Sequence, residues 1–325
     1  MVTSQPADPR GAGRWAIILA GGDGTRLRTL TRSLAGDERP KQFCVLLGGE
    51  TLLDQTRARV ALAVPPSRTL FVLTRKHEHF YEPLLGDVPR RRLVVQPRNA
   101  GTAPAILYSL LRLSKADPSS TAAFFPSDHY FSDDAAFMSH VETAFEATRD
   151  RDDIVILLGI EPDGHEAGYG WIEPASPGSA EDANALRWVR RFWEKPPPEF
   201  ARGLPERGCL WNSFVMVGRV NAFLKMIRHA APELSARFDA IFPALDTSGE
   251  ESAADELYSR LGDLNFSQDV LAARPRSLAV LRVGGLSWSD LGEPRRVLSV
   301  MSEVGAVQTS RRPRAPAVVS KVVAG

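Results

Sequence analysis

The sequence predicts an α/β fold with a mixed, mainly parallel sheet flanked by helices and a small antiparallel insertion. Short apolar runs alternate with helical patterns through the first 160 residues, which is typical of βαβ units. Runs such as AIILA and IVILLGI lack polar alternation, as expected for strands that are buried on both faces. After Gly164 the runs become shorter, and a Pro/Gly/Ser stretch interrupts them. We interpret this region as an antiparallel insertion that forms the far wall of a cleft.

The individual elements follow from the same patterns. In the parallel part, strands are predicted at 15–20, 69–74, 92–96, 121–125 and 154–160, and helices at 52–62, 77–85, 103–113 and 134–148. The antiparallel strands are predicted at 169–173, 186–193 and 210–217. Two helices at 220–229 and 252–261, a strand at 278–283 and a closing helix at 294–301 complete the prediction.

Composition excludes several classes of protein. The chain has 325 residues, 43% of them hydrophobic, and a net charge of +1, so nothing global indicates nucleic acid or an anionic membrane as a partner. No apolar run is long enough to span a bilayer. The two cysteines, Cys44 and Cys209, lack the spacing of metal ligands. The first fourteen residues lack the apolar core of a signal peptide, which favours a cytoplasmic location.

A glycine-rich loop, GGDGTRL at 21–27, follows the first predicted strand directly. Glycines allow backbone N–H groups to approach an anion without interference from Cβ atoms. The Walker A pattern is excluded because no lysine followed by Ser or Thr closes the loop, and the dinucleotide fingerprint fails because its third glycine would be Leu27. Arg26, Arg32 and Lys41 follow, and their combination of guanidinium and ammonium groups suits a triphosphate.

Polar residues next to apolar strands are the other candidates. Asp128 comes after the run AAFF, at the end of a strand where open α/β sheets place ligands. A carboxylate there suits Mg²⁺, and a helix N-cap is the alternative. Asn212 lies within an apolar strand, so either sugar hydroxyls or backbone groups must satisfy its amide if it is buried. The pair Glu194–Lys195 on its own favours a solvated ion pair, and the His77–His79 segment a solvated helix start.

Seven segments in order resemble those of the nucleotidyltransferases that make nucleotide sugars, and most of all the mannose-1-phosphate guanylyltransferases. The segments are the glycine loop with PKQF at 40–43, QPRNAGTAPAI at 96–106, PSDH at 126–129, GYGWI at 168–172, FWEKP at 192–196, WNSF at 211–214 and WSDLG at 288–292. The resemblance covers residues 17–291, and it implies a Rossmann-like sheet whose antiparallel insertion forms the sugar side of the cleft.

The resemblance implies transfer of a nucleotidyl group from GTP to mannose 1-phosphate, giving GDP-mannose and pyrophosphate with Mg²⁺ or another divalent cation. It implies catalytic roles for Arg26, Lys41, Asp128 and Lys195, and metal binding by Asp128 and Asp290. Without the resemblance, Asp290 is equally well interpreted as a turn residue. Nucleotide binding is implied for Gly21, Gly22, Gly24, Thr25, Gln96, Gly101, Thr102 and Ser127. Sugar-phosphate binding is implied for Gly170, Glu194, Lys195, Asn212 and Ser213.

The same resemblance sets the expected domain and its alternatives. We expect a nucleotidyltransferase domain at 15–301, a disordered segment at 1–14 and a flexible tail at 302–325. The sequence departs from the family at Phe214, where a glycine is common, and around Ser267 and Asp269, where a tyrosine is missing. UTP, dTTP or ATP with glucose 1-phosphate, or a non-catalytic regulatory subunit that binds a sugar nucleotide, are the alternatives. We expect small-molecule partners, no nucleic acid and no membrane, and leave a homodimer open.

Overall fold

A computed structural model of the chain describes residues 13–149, 151–175 and 186–311. The strands are β1 (Arg14–Leu19), β2 (Val45–Leu47), β3 (Glu50–Thr51), β4 (Thr69–Thr74), β5 (Leu93–Gln96), β6 (Thr121–Pro126), β7 (Tyr130–Phe131), β8 (Val155–Ile160), β9 (Gly170–Pro174), β10 (Arg187–Glu194), β11 (Leu210–Arg219), β12 (Leu278–Val283) and β13 (Trp288–Ser289). The α-helices are α1 (Arg28–Ala35), α2 (Leu52–Val60), α3 (Glu78–Leu85), α4 (Thr102–Ala116), α5 (Asp134–Ala147), α6 (Pro198–Ala201), α7 (Val220–Ala230), α8 (Pro232–Ile241), α9 (Glu250–Ser259) and α10 (Pro294–Arg311).

Nine strands form one mixed sheet in the order β5-β4-β1-β6-β11-β8-β12-β10-β9. Strands β5, β4, β1 and β6 are parallel, as are β8 and β12. Strand β11 is antiparallel to both β6 and β8, so these two parallel groups point the same way. The carboxyl ends of β1, β5 and β6 therefore meet at one edge, where such sheets place ligands. The mixed, mainly parallel sheet of the prediction is confirmed.

The position of β11 corrects one part of the prediction. The sequence placed residues 210–217 in the small insertion, whereas β11 lies at the centre of the sheet between β6 and β8. Its ten residues are buried except for Phe214 and Arg219, which are half-buried. A long strand buried on both faces belongs in the middle of a sheet. The length and apolarity of residues 210–219 were therefore the sequence signal for a central strand. The prediction holds for the start of β11, where Leu210 and Trp211 pair antiparallel with β9. Strand β10 pairs with β9 in the same antiparallel region.

Two apolar cores cover the two faces of the sheet. Adjacent residues of β1 show the division, because Ile17 belongs to one core and Ile18 to the other, and both are fully buried. Residues that are neighbours in a strand point to opposite faces, so this strand is packed on both sides. Cys44 and Cys209 are free and buried.

Several elements differ from the predicted ones. Helices α1 and α8 and the π-helix Phe266–Leu271 had no predicted counterpart. The sequence ended the last helix at Met301, whereas α10 continues to Arg311, so the first ten residues of the predicted tail are helical. The physical reason is that no proline interrupts the sequence before Pro313. Residues 1–12 and 312–325 of the two predicted end segments lie outside the described residues. Among the helices of the described ranges, none is long and apolar enough to cross a membrane.

The turn before α4 packs closely against the segment that follows α9 and forms hydrogen bonds with it. Gly101 has φ 88° and ψ 177°, a conformation that is essentially restricted to glycine. A Cβ atom at Gly101 would lie 2.2 Å from the carbonyl oxygen of Leu264. That carbonyl accepts the N–H of Ala103 at 3.1 Å, and the N–H of Leu264 donates to the carbonyl of Ala100 at 3.1 Å. The glycine therefore allows two distant segments to share backbone hydrogen bonds.

We expect Gly101→Ala to lower the free energy of unfolding by about 2 to 6 kcal/mol, because it adds both backbone strain and a steric clash. Denaturant unfolding followed by circular dichroism measures this change. Gly262→Ala is the matched control, since its new Cβ would meet nothing within 4 Å, and its free energy should stay within about 1 kcal/mol of the wild type. Equal stability of the two variants would contradict this account of the turn.

Candidate functional site

A cleft of about 710 Å³ opens at the carboxyl ends of β1, β5 and β6. Most of the predicted site residues line it. They are Gly21, Gly22, Gln96, Gly101, Thr102, Ser127, Asp128, Glu194 and Lys195. These residues come from separate parts of the chain, so the fold assembles one cavity from segments that the sequence analysis had connected only by resemblance.

Side chains from other segments hold the glycine loop in place. The Gln42 amide donates to the carbonyls of Ala20 at 3.0 Å and Gly22 at 2.8 Å. The Thr74 hydroxyl donates to the carbonyl of Gly21 at 2.8 Å. A Cβ atom at Gly21 would lie 2.9 Å from the Gln96 amide nitrogen, so this position has no room for a side chain. The loop is therefore fixed before any ligand binds.

Asp23 anchors the same loop on its outer side. Its carboxylate lies 2.6 Å from the Lys76 ammonium and 3.3 Å from His77 Nε2, and it accepts from the Asn99 amide at 3.2 Å. Burial favours the neutral acid, but the hydrogen bonds from Lys76 and Asn99 outweigh it and hold the pKa of Asp23 below its usual range. The prediction of a solvated helix start was wrong for His77, which is buried because it packs against Phe43 and faces Asp23.

At the predicted nucleotide end of the cleft, several side-chain donors and acceptors already form hydrogen bonds within the protein. Gln96 is 2% exposed, accepts from the Tyr258 hydroxyl at 3.1 Å and donates to the protein backbone. Thr102 Oγ1 accepts the N–H of Phe266 at 2.8 Å, and so keeps its own hydrogen to donate. Ser127 is buried and donates to the carbonyl of Leu19 at 2.8 Å. The side chains of Gln96 and Ser127 therefore shape the cleft wall.

Lys41 connects the two predicted metal aspartates. Its ammonium lies 3.2 Å from Asp128 Oδ2 and donates to the backbone carbonyls of Asp290 and Leu291, the latter at 3.0 Å. The Lys41 side chain is only 10% exposed, and a buried ammonium needs such acceptors. The two acidic segments, which are 162 residues apart in sequence, therefore lie on either side of one amino group.

The carboxylate of Asp290 itself faces a different cation. Its Oδ1 lies 3.2 Å from Arg296 Nη2 and accepts the N–H of Gly292 at 2.7 Å. Both Asp128 and Asp290 keep a quarter to a fifth of their side-chain surface exposed, and carboxylate oxygens are the ligands that Mg²⁺ prefers. Within the described ranges, no three His, Cys, Asp or Glu side chains form a group that could hold a metal. Two carboxylates are too few ligands for a divalent cation, so an ion here would need further ligands such as phosphate oxygens and water.

His129 is an uncharged neighbour of these acids. Burial lowers its pKa to about 4, although Asp128 and Asp290 oppose the shift. Its ring packs edge-on against Trp288 at 5.4 Å between centroids. A neutral imidazole adds no positive charge near pH 7, so Lys41 is the cation that faces Asp128.

Glu194 and Lys195 form the opposite side of the cleft. The Lys195 ammonium lies 3.0 Å from Glu194 Oε1, and its side chain is half exposed. Lys195 has φ 46°, in the left-handed region that non-glycine residues rarely adopt. Glu194 Oε2 would lie 3.1 Å from a Cβ atom at Gly170. Gly170 therefore gives the Glu194 carboxylate the space that it occupies at the cleft.

Other predicted residues do not line this cleft. Thr25 and Arg26 are exposed on the turn that follows the glycine loop, and Arg26 interacts electrostatically with Glu293. Gly24 caps that turn with φ 60°. Ser213 is fully buried and donates to a backbone carbonyl of β8 at 2.6 Å. Its hydroxyl is therefore engaged within the sheet, and its predicted sugar contact stays a prediction.

Asn212 is also engaged within the protein. It is 7% exposed, and its Oδ1 accepts the N–H of Phe214 at 3.1 Å. The sequence left open whether sugar hydroxyls or backbone groups bond to the Asn212 amide. A backbone N–H bonds to its carbonyl oxygen. Because Oδ1 is the acceptor, the amide NH₂ group is the part that a ligand could use.

Residues 263–269 form one wall of the cleft, and no site role was predicted for them although Ser267 and Asp269 were noted as departures from the family. Asp263, Leu264, Asn265, Ser267, Gln268 and Asp269 line it, together with Gln42, Asn99 and Phe214. The available signals were the Asx turn at Asn99, whose Oδ1 accepts the N–H of Gly101 at 2.9 Å, and the Asn265 cap of the π-helix, which accepts from Gln268. Both are short polar patterns that do not by themselves reveal a tertiary contact.

A second cleft, of about 630 Å³, is lined by aromatic residues from the segments that resemble the family. Tyr169, Trp211 and Trp288 line it with Arg296. The Arg296 guanidinium lies 4.5 Å from the centre of the Tyr169 ring. Because Trp211 and Asn212 are neighbours in a strand, their side chains point to opposite faces of the sheet. The WNSF segment thus contributes to both sides of the sheet.

The chain is similar to known proteins over most of its length. The family model of the nucleotidyl transferases matches residues 15–306. The xanthan biosynthesis protein XanB of Xanthomonas campestris pv. campestris (strain B100) is 30% identical over 298 residues, which cover 89% of this chain and 60% of that protein. The mannose-1-phosphate guanylyltransferase of Escherichia coli (strain K12) is 27% identical over 286 residues, which cover 86% of this chain and 58% of that protein. The chain thus spans about three fifths of the length of these relatives.

A solved structure from Thermus thermophilus, described as a mannose-1-phosphate geranyltransferase, superposes with a TM-score of 0.74 at 28% identity. The match covers 88% of this chain and 79% of the other. The fold, the order of the motifs and the extent of the family match all point the same way. The chain belongs to the nucleotidyl transferase family.

Proposed function

We propose that the protein transfers a nucleotidyl group from a nucleoside triphosphate to a sugar 1-phosphate, with GTP and mannose 1-phosphate as the substrates and GDP-mannose and pyrophosphate as the products. The observation that carries the proposal is the contact of Lys41 with both the Asp128 carboxylate and the Asp290 segment. This contact lies beside a cleft that also holds a fixed glycine loop and the Glu194–Lys195 pair. Family membership and the names of two compared proteins support the same chemistry.

The proposed reaction needs positioning and charge neutralisation more than a general base. A phosphate monoester has a second pKa of about 6, so its oxygen is already an anionic nucleophile at neutral pH. A sugar phosphate oxygen forms a bond to the α-phosphorus, the bond from that phosphorus to the bridging oxygen breaks, and the electron pair leaves with pyrophosphate. Several negative charges must approach one another, and preorganised cations reduce this repulsion.

The residues have separate tasks in this proposal. The glycine loop provides close backbone approach for the triphosphate, and Lys41 provides a positive charge beside it. Lys195 binds the sugar phosphate, and Glu194 accepts hydrogen bonds from sugar hydroxyls. Arg26 is exposed outside the cleft, so its proposed contact with the triphosphate requires the ligand or the turn at 25–27 to extend toward it.

Asp128 and Asp290 are the proposed ligands of a divalent cation, Mg²⁺ being the expected one. When bound, the ion would neutralise charge on the phosphate oxygens. Asp128 already faces the cleft. The Asp290 carboxylate, which pairs with Arg296, must exchange this partner or share it with the ion.

The base and the sugar are the finer part of the proposal. They are tested by measuring pyrophosphate release with Mg²⁺ from GTP, UTP, dTTP and ATP, each with mannose 1-phosphate and glucose 1-phosphate. GTP with mannose 1-phosphate should give the highest kcat/KM. If every pair binds and none turns over, the alternative of a regulatory subunit is favoured. The cytoplasmic location and a homodimer stay predictions.

We expect Asp128→Ala to lower kcat by at least about 100-fold, because it removes a preorganised charge from the reacting centre. Steady-state pyrophosphate release measures this effect, and Asp152→Ala, which changes an exposed aspartate, serves as the control with unchanged kcat. If the Asp128 variant kept more than about a tenth of the wild-type rate, a loss below ~1.4 kcal/mol, Asp128 would have no place in the mechanism.

Lys195→Ala should raise KM for the sugar phosphate by about 10-fold or more, which is the scale of a lost charge-assisted hydrogen bond. KM for GTP should change much less. Initial rates with each substrate varied in turn separate the two constants, and Lys225→Ala on the exposed surface of α7 is the control. Equal increases for both substrates would assign Lys195 to a shared role.

A further inference from the structure

Left-handed backbone conformations in non-glycine residues concentrate at the candidate site. In the described part of the chain these residues are Lys195, Phe214, Asp246 and Leu291, with φ between 46° and 59°. Three of the four lie in segments that build the site, and only Asp246 is remote from it. Strained conformations of this kind persist where the surrounding structure fixes them, and they cluster at functional sites.

The strand around Phe214 shows how its conformation is fixed. The pairing of β11 with β8 changes register between Asn212 and Met216, which marks a bulge. Asn212 Oδ1 accepts the N–H of Phe214 at 3.1 Å, and Ser213 Oγ accepts the N–H of Val215 at 3.2 Å. The Ser213 hydroxyl also donates to β8 at 2.6 Å. Two side chains therefore hold the bulge, and Phe214 at its centre adopts φ 59°.

The bulge directs the Phe214 ring toward the cleft. Phe214 is half-buried and lines the cleft together with Glu194 and Lys195. Its ring meets the Phe266 ring edge-on, with centroids 6.3 Å apart and an interplanar angle of 84°. The backbone of Phe266 in turn donates to Thr102. The aromatic pair thus spans from the sugar side of the cleft to its nucleotide side.

This arrangement costs conformational energy that a glycine at the same position would avoid. The chain instead holds a large, rigid ring in the wall of the cleft, packed against the apolar core. A ring that is fixed by backbone geometry and by a second ring cannot move aside as a flexible side chain would. A substituent on a ligand that extends toward this wall would therefore meet a steric barrier.

We propose that Phe214 is a specificity-determining residue that limits the size of the sugar phosphate. It excludes sugar 1-phosphates with a bulky substituent on the ring, such as an acetamido group, and admits unsubstituted hexose 1-phosphates. This inference rests on the proposed function for the identity of the ligand. Phe214 takes no part in the chemical step.

The test compares glucose 1-phosphate with N-acetylglucosamine 1-phosphate, because these two ligands differ only in the substituent at C2. The variants are Phe214→Gly and Phe214→Ala, which both remove the ring but differ in backbone strain. In both, the ratio of kcat/KM for the acetylated sugar to that for the plain sugar should rise by about 10-fold or more, the scale of steric discrimination in a pocket. Each ratio is measured with GTP and Mg²⁺.

Asp246→Gly is the matched control, since it relieves left-handed strain away from the cleft; its ratio should stay within about 2-fold of wild type, well below the steric effect. Thermal unfolding adds a second readout, with Phe214→Gly expected to melt at a higher temperature than Phe214→Ala because glycine adopts this φ freely. An unchanged ratio in both Phe214 variants would overturn the proposal.

Failure of the proposed function can be recognised separately. If the wild type releases no pyrophosphate with any substrate pair, or none with these two sugar phosphates, isothermal titration of the same two compounds gives a ratio of dissociation constants instead. A shift of that ratio by about 10-fold in both Phe214 variants supports the size limit even without turnover. An unshifted ratio, or no binding of either sugar phosphate to any of the proteins, overturns it.

Discussion

The candidate site depends on the placement of one ammonium group, that of Lys41. This group is nearly buried and has three oxygen partners, from the Asp128 carboxylate and the backbones of Asp290 and Leu291. A buried cation without partners costs several kcal/mol, so the three oxygens must stay close to it. Lys41 itself begins a short 3₁₀ turn, Lys41–Phe43, whose Gln42 fixes the glycine loop. One short segment thus sets the distance between the loop and both acidic segments.

Each of the three acids with a proposed role has a basic partner in this structure. Asp128 faces Lys41, Asp290 faces Arg296, and Glu194 faces Lys195. Under the proposed function, the phosphates of two substrates would compete for these cations, and the carboxylates would then be free for a metal ion or for sugar hydroxyls. Such an exchange of partners keeps the charge of the cleft balanced with and without ligands, which limits the cost of burying charge.

Much of the fold was predictable because its signals are local. Strands β4 and β12 and the beginnings of α2 and α5 lie where the sequence placed them, since apolar runs and helical periodicity are properties of short windows. The central place of β11 was not predicted, because strand order depends on pairing between distant segments. The last helix was predicted to end at Met301 but continues to Arg311, because no proline stops it.

The site shows the same division between local and tertiary information. The glycine loop and Asp128 were found from their positions next to strand ends, and the other predicted residues of the cleft came from the family resemblance. Nine of the predicted residues share the cleft. The hydrogen bond from Ser213 to β8 was not predicted, because the partner lies on a distant strand. His77 was misjudged because its burial depends on Asp23 and Phe43. No site role was predicted for residues 263–269 because they reach the cleft through tertiary contacts, such as that of Phe266 with Thr102.

A double-mutant cycle between Lys41 and Asp128 tests the central role of the ammonium group most directly. Lys41→Met, Asp128→Asn and the double variant would be compared with the wild type by denaturant unfolding without ligands. The account predicts a coupling of about 1 kcal/mol or more, because each partner is left with an unpaired, partly buried group when the other is removed. If the destabilisations of the two single variants sum to that of the double variant within about 0.3 kcal/mol, the account is contradicted.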